Sequence, residues 1–137
     1  FPTLLKELIE DGKIEFPDGG KVGVTYHDPC HVGRHMGIYD DPREALDAIP
    51  GVEVVEMHKS RATASCCGAG GGLRSTNRDL AREAAETRIS EAEETGASVL
   101  TTACPFCTFN LRDGVKRSGS DIEMLDFPEF VAKILDL

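Results

Sequence analysis

Five cysteines fall into the pattern C-x35-C-C-x36-C-x2-C, formed by Cys30, the adjacent pair Cys66 and Cys67, and the closing pair Cys104 and Cys107. They are all the thiols of the 137-residue chain. A central doublet and a C-P-F-C clip are more ordered than stray buried cysteines, so a shared metal centre is the leading reading. Structural zinc takes four ligands in a tetrahedron, and ordinary iron–sulfur clusters take four thiolates. The surplus thiol is then a bridging ligand, a reactive free group, or the mark of a cluster other than a plain cube. An odd count also argues against a disulfide framework, which would leave one cysteine unpaired.

Cys104-Pro-Phe-Cys107 puts a thiol at a helix N-terminus, where the positive end of the dipole favours thiolate. That suits a metal ligand and equally a thioredoxin-like redox pair; the three other thiols shift the weight to metal. In Cys66-Cys67-Gly68-Ala69-Gly70-Gly71-Gly72 the glycines let the backbone approach a bulky cluster and adopt positive φ. A phosphate-cradling loop competes, but the match to G-x-G-x-x-G is imperfect and no P-loop lysine follows. A vicinal disulfide is disfavoured in a reducing compartment.

Tyr26-His27-Asp28-Pro29-Cys30-His31 is the third element, where His27, His31 and His35 offer nitrogen ligands or proton donors. His31 and His35 share a face if a helix starts there, and His31, beside a thiolate, is the candidate to support the centre from outside its ligand set. More often such histidines pack half-solvated or donate to a nearby sulfur. His58 has no evident partner. Arg34, Arg61 and Arg74 stand near the cysteine loops, where they balance thiolate charge or hold a substrate carboxylate or sulfonate, or are ordinary surface arginines. Phe106 and Phe109 shield the centre from water or belong to the core.

The elements that must position these groups alternate β-type runs with helical stretches, and the β runs are too far apart for hairpins. Strands are expected at Val22–His27, Val52–Met57, Ser98–Thr102 and Ile122–Leu125. A helix begins at Asp41-Pro42-Arg43-Glu44 with Asp41 as an acidic cap and ends at Pro50-Gly51. Asn77 caps the longest helix, with Leu80, Ala81, Ala84, Ala85, Ile89 and Ala92 on one stripe and Gly96 at its end. Another helix follows Cys104 with Pro105 in its first turn, and Phe1–Ile9 and Phe127–Leu135 are helical. The fold class is α/β: a three-layer Rossmann-like or flavodoxin-like parallel sheet of about four strands with helices on both faces, joined by right-handed crossovers. Every cysteine loop then lies past a strand's carboxyl end, where ligands gather in open parallel sheets.

Acidic residues outnumber basic ones by 24 to 15, a formal charge of −9, and the basic residues are dispersed. Nucleic acid is thereby an improbable partner, and no polybasic run invites a membrane surface. The sequence shows no secretory signal pattern and no apolar stretch of bilayer length, which predicts no direct membrane insertion and a cytoplasmic setting.

The Y-H-D-P-C, C-C-G and A-C-P-F-C segments, running from about Tyr26 to Asn110, together resemble the cysteine-rich CCG domain family. That family includes the catalytic subunit of CoB–CoM heterodisulfide reductase and iron–sulfur subunits of glycolate and lactate oxidation. The resemblance implies a non-cubane [4Fe–4S] cluster held by Cys30, Cys66, Cys67, Cys104 and Cys107, beside Gly68. It implies reduction of a small-molecule disulfide to two thiols in two one-electron steps, with electrons from a partner subunit of a redox complex. The intact A-C-P-F-C clip looks more like the heterodisulfide reductase branch than the hydroxy-acid branch.

Within that branch the catalytic polypeptide carries two such domains. The chain, which opens on Phe1 without a methionine, is expected to be the C-terminal fragment of a longer polypeptide: residues 1–20 a leading helix and loop, 21–137 the α/β body. Such a fragment would be incomplete without its companion domain or subunits, and membrane association, if any, would come through a partner. The alternatives are an iron–sulfur electron-transfer subunit of a glycolate- or lactate-type dehydrogenase and a zinc-stabilised interaction module with one free thiol.

Overall fold

A computed structural model of the chain describes all residues from Phe1 to Leu137. Four parallel strands, β1 (Val22–His27), β2 (Val52–Val54), β3 (Val99–Thr102) and β4 (Glu123–Asp126), form one sheet in the order β2-β1-β3-β4. Six helices surround it: α1 (Pro2–Glu10), α2 (Asp40–Asp47), α3 (Leu73–Thr76), α4 (Arg78–Glu93), α5 (Pro105–Ser118) and α6 (Phe127–Ile134). The three-layer α/β architecture expected from the alternation is the one found.

Strand periodicity sorts side chains onto two cores. On one face Val24, Tyr26 and Val99 pack with Leu5 of α1, Leu46 of α2 and Phe127 and Phe130 of α6. On the other, Leu100 and Met124 meet Ala85, Ile89 and Ala92 of α4 and Cys107 and Leu111 of α5. Burying each such Leu, Ile or Phe contributes about 1.5–3 kcal/mol. In register, Val24 lies beside Val99 and His27 beside Thr102, so the carboxyl ends of β1 and β3 are level. The chain goes from β1 to β2 on one side and then crosses to β3 on the other, making β1/β3 the topological switch point.

Several local expectations shift. Val55 N–H still donates to Val24 C=O at 2.8 Å, but β2 ends at Val54 and not at Met57. Beyond it Glu56 turns to Arg43 and Met57 enters the α4/α5 core. Asp41 does not cap α2: Tyr39 occupies the N-cap, and Asp41 sits in the first turn, accepting from the Thr3 hydroxyl at 2.6 Å. There its charge still favours the helix N-terminus. Asn77 does cap α4, its side chain accepting from Leu80 N–H at 3.1 Å. Leu80 itself is exposed and leaves the stripe, whereas Arg88 joins it, fully buried. No helix is long and apolar enough to cross a membrane.

Candidate metal centre

Each cysteine segment leaves a different strand. Cys30 follows β1 and precedes a single π-helical turn, His31–His35. The Cys66–Cys67 loop lies between β2 and α4, and Cys104 stands at the N-cap of α5, with Cys107 in that helix's first turn. Cys30, Cys66, Cys67 and Cys107 line one small pocket, together with His27, Arg34 and Arg61. Cys104 does not line it; half-buried, it packs against the core that contains Cys67 and Cys107. The loops thus bring four cysteines to one pocket with the fifth packed beside it.

Cys67 Sγ and Cys107 Sγ are 3.2 Å apart, with Cys67 donating. Gly68 N–H donates to Cys66 Sγ at 3.3 Å. Donation to Cys67, followed by burial, raises the Cys66 thiol well above the usual range. Donation to Cys107 is the main cause that pushes Cys67 up to about 12, with burial adding to it. The protein's own groups therefore hold these two as neutral thiols, and a metal would have to displace their protons.

Gly68 is required by packing rather than by the pocket. Its φ is +80°, and a Cβ there would collide with the Ala81 carbonyl oxygen of α4. The same turn is held by Asn110 of α5, whose fully buried amide donates to Cys67 C=O at 2.6 Å and Ala81 C=O at 2.9 Å. On the other side of Cys30, Asp28 is buried and accepts from both Nη atoms of Arg43 at 2.8 and 2.9 Å. Arg61 N–H donates to the same carboxylate at 2.7 Å, from a backbone with φ 54°. Strain of that kind costs of order 1–3 kcal/mol and persists only where surrounding contacts impose it.

His31 stacks on His35 with ring centroids 5.0 Å apart, and both are exposed. The histidine at the sulfurs is His27, one of whose ring nitrogens lies with Cys67 Sγ and Cys107 Sγ in a group spanning no more than 4.8 Å. Burial first, and Arg88 second, hold its pKa down to about 3. Arg34 donates to Ala64 C=O at 2.6 Å and Arg61 pairs with Asp40 at 2.7 Å, so both are braced at the pocket edge. Arg74 is elsewhere, stacked 4.4 Å from the Phe109 ring centroid and bonded to Asn110. Phe106 and Phe109 are 69% and 59% exposed, so neither is core. His58 is exposed and lies 3.7 Å from Glu94.

Arg88 and Asn110, which the motifs did not include, occupy helix positions whose spacing marks them. Arg88 falls on the stripe of Ala81, Ala85 and Ala92, and Asn110 on that of Cys107, Leu111 and Gly114. A polar residue at core spacing was the signal.

The donor set suits an iron–sulfur centre: soft thiols converge where a backbone N–H and two arginines oppose their charge. The family model for the cysteine-rich CCG domain matches residues 24–112. The chain belongs to the cysteine-rich CCG domain family. It is 47% identical over 97% of its length to a subunit of the dihydromethanophenazine:CoB–CoM heterodisulfide reductase of Methanosarcina barkeri, covering 32% of that protein. It is 38% identical, over 95% of its length, to a Bacillus subtilis protein named as a probable iron–sulfur-binding oxidoreductase, covering 19% of it. A fumarate reductase (CoM/CoB) subunit of Methanothermobacter marburgensis is 35% identical over 79% of the chain, which covers 22% of that protein. The chain therefore spans a third or less of these relatives, and it is a domain of the kind found in iron–sulfur oxidoreductases.

Proposed function

We propose that this CCG domain holds a non-cubane [4Fe–4S] cluster on Cys30, Cys66, Cys67, Cys104 and Cys107 and serves a heterodisulfide-reductase-like oxidoreductase. The observation that carries the reading is that four of the five cysteines line one pocket at the β1/β3 switch point. Similarity to the heterodisulfide reductase of Methanosarcina barkeri supports a thiol disulfide as substrate. When bound, the centre would supply two electrons, one at a time; with two protons they convert a disulfide into two thiols.

The chain's own groups prepare that site. Cys30 and Cys66 lie at the exposed side, which leaves an approach for a small disulfide. Arg34 and Arg61 oppose the negative charge of the thiolates, and Gly68 N–H stabilises the sulfur of Cys66. Asn110 keeps the Cys67 turn against α4 and α5 while ligands are loaded. Electrons come from a partner subunit, and the remaining part of a longer polypeptide supplies a companion domain. On this reading the complex is cytoplasmic, with any membrane association made through a partner.

Anaerobic reconstitution tests the assignment. The expected product is a brown protein with iron and acid-labile sulfide, whose iron content falls on Cys66→Ser or Cys67→Ser. Unchanged iron and spectra in both variants would overturn those ligands. Zinc near one per chain without sulfide would establish the interaction module instead. In the full-length complex, turnover of glycolate or lactate without thiol release from a disulfide would favour the hydroxy-acid alternative.

A further inference from the structure

We propose that His27 is a fixed Nε2–H donor directed at the sulfur pocket, with Arg88 as its positioning residue, and that it is not a metal ligand. This rests on the preceding reading only for the identity of the sulfur acceptor. Nδ1 of His27 accepts from Nε of Arg88 at 3.0 Å. A guanidinium has donors only, so the bonded ring nitrogen must present its lone pair and the proton of the neutral ring must sit on Nε2. The ring makes no other hydrogen bond, and His27 lines the pocket with Cys67 and Cys107, one of its nitrogens lying within 4.8 Å of both sulfurs. With Nδ1 taken by Arg88, the Nε2 proton is the one the ring can offer to those sulfurs when they carry charge.

Arg88 is not free to yield. It is fully buried, and its Nη1 donates to Lys59 C=O at 2.8 Å and to Glu91 at 2.6 Å. Glu91 is itself buried and accepts from Ser65 at 2.8 Å. The ring's own backbone is tied as well, because the Thr102 hydroxyl donates to His27 C=O at 2.9 Å. Were His27 to ligate through Nε2, its proton would move to Nδ1 and face the Arg88 N–H. Two buried donors would then oppose each other, and each would lack an acceptor.

Metal-ligating histidines commonly show the reverse arrangement, in which the second ring nitrogen donates to a carboxylate or carbonyl. Here the second nitrogen accepts, so the face toward the pocket gives a proton rather than a lone pair. A hydrogen bond to a cluster sulfur draws charge from it and favours the reduced state.

Two measurements on 15N-histidine-labelled full chain test this. In the metal-free, reduced protein the His27 nitrogen shifts should report the Nε2–H tautomer, and Arg88→Met should convert them to a tautomer mixture while the other histidines stay unchanged. An Nδ1–H pattern in the unmodified chain overturns the proposal. In the iron-loaded protein His27→Phe should lower the midpoint potential, and His27→Gln, which returns an N–H to the same region, should recover part of the shift. An unchanged potential in a folded His27→Phe protein, or the strong 15N hyperfine coupling of a directly bound nitrogen, overturns it too. If His27→Phe does not fold, the labelled unmodified chain still decides. If that chain takes up no iron, the cluster reading falls, while the tautomer pattern independently sustains or sinks the donor.

Discussion

The two faces of the sheet each bury an arginine, and the two arginines differ in what they leave over. Arg43, from α2, gives all of its donors away: Nε and Nη2 to Glu56, both Nη atoms to Asp28, and Nη1 also to Tyr39 C=O. Burial opposes its charge, but the Asp28 and Glu56 carboxylates overcome that and raise its pKa. Arg88, from α4, meets one carboxylate, one carbonyl and one imidazole, and its Nη2 has no partner. A closed network of two carboxylates around one cation stabilises a turn, here the His27-Asp28-Pro29-Cys30 segment. An incompletely paired cation that touches a ring sets the ring's chemistry instead. Buried ion pairs are weak contributors to net stability but costly to halve.

The sharpest way to break this contrast is to truncate both arginines. Arg43→Met should lower unfolding free energy by about 3–5 kcal/mol, because two carboxylates lose their cation. Arg88→Met should cost less, about 1–3 kcal/mol, since Glu91 keeps Ser65 at 2.8 Å and Lys59 at 3.4 Å. Urea denaturation of both variants measures the order, and an inverted order would refute the assigned roles. Gly68→Ala falls between the two, at about 3 kcal/mol, from left-handed backbone strain and collision with α4. If Gly68→Ala unfolds at the same urea concentration as the parent chain, the turn is not anchored on α4.

His27 sharpens the comparison through pH. Its folded pKa is held down to about 3, first by burial and then by Arg88, against an ordinary value of 6.5. Below pH 6.5 the unfolded ring takes a proton that the folded ring refuses, so stability present above 6.5 is lost as pH falls toward 3. The slope approaches about 1.4 kcal/mol per pH unit for this one group. His27→Gln should flatten that part of the stability–pH curve, measured as its difference from the unmodified chain. The smallest effect is expected at Phe106→Ala, within about 0.5 kcal/mol, because a surface ring carries no core packing. Thermal or urea unfolding of that variant provides the check.

Much of the site is legible in the sequence. The strands after which the cysteines stand are short, β-branched and separated by helical stretches, so the carboxyl-end placement of Cys30, Cys66 and Cys104 follows from alternation alone. Asn77 was recognisable because capping is a local exchange between a side chain and an N–H three residues on. Other features were not local. Asp41 has the residue type of a cap, but Tyr39 takes that place and Asp41 meets Thr3 of α1 instead. Leu80 and the two phenylalanines of α5 are apolar yet lie where no neighbouring layer covers them. His31 adjoins Cys30 in sequence, yet its ring stacks on His35.

Residue order by itself determined the element types, the parallel sheet and the loops on which the thiols ride, because those depend on periodicity and on steric limits within a few residues. Only the packed molecule decided which histidine reaches the sulfurs, which arginine orients it and why Gly68 cannot carry a side chain. His27 and Arg88 are 61 positions apart and Asn110 reaches 43 positions back to Cys67. Hydrogen bonds between groups that distant exist only once two layers have closed on each other and excluded the water that would otherwise compete for them.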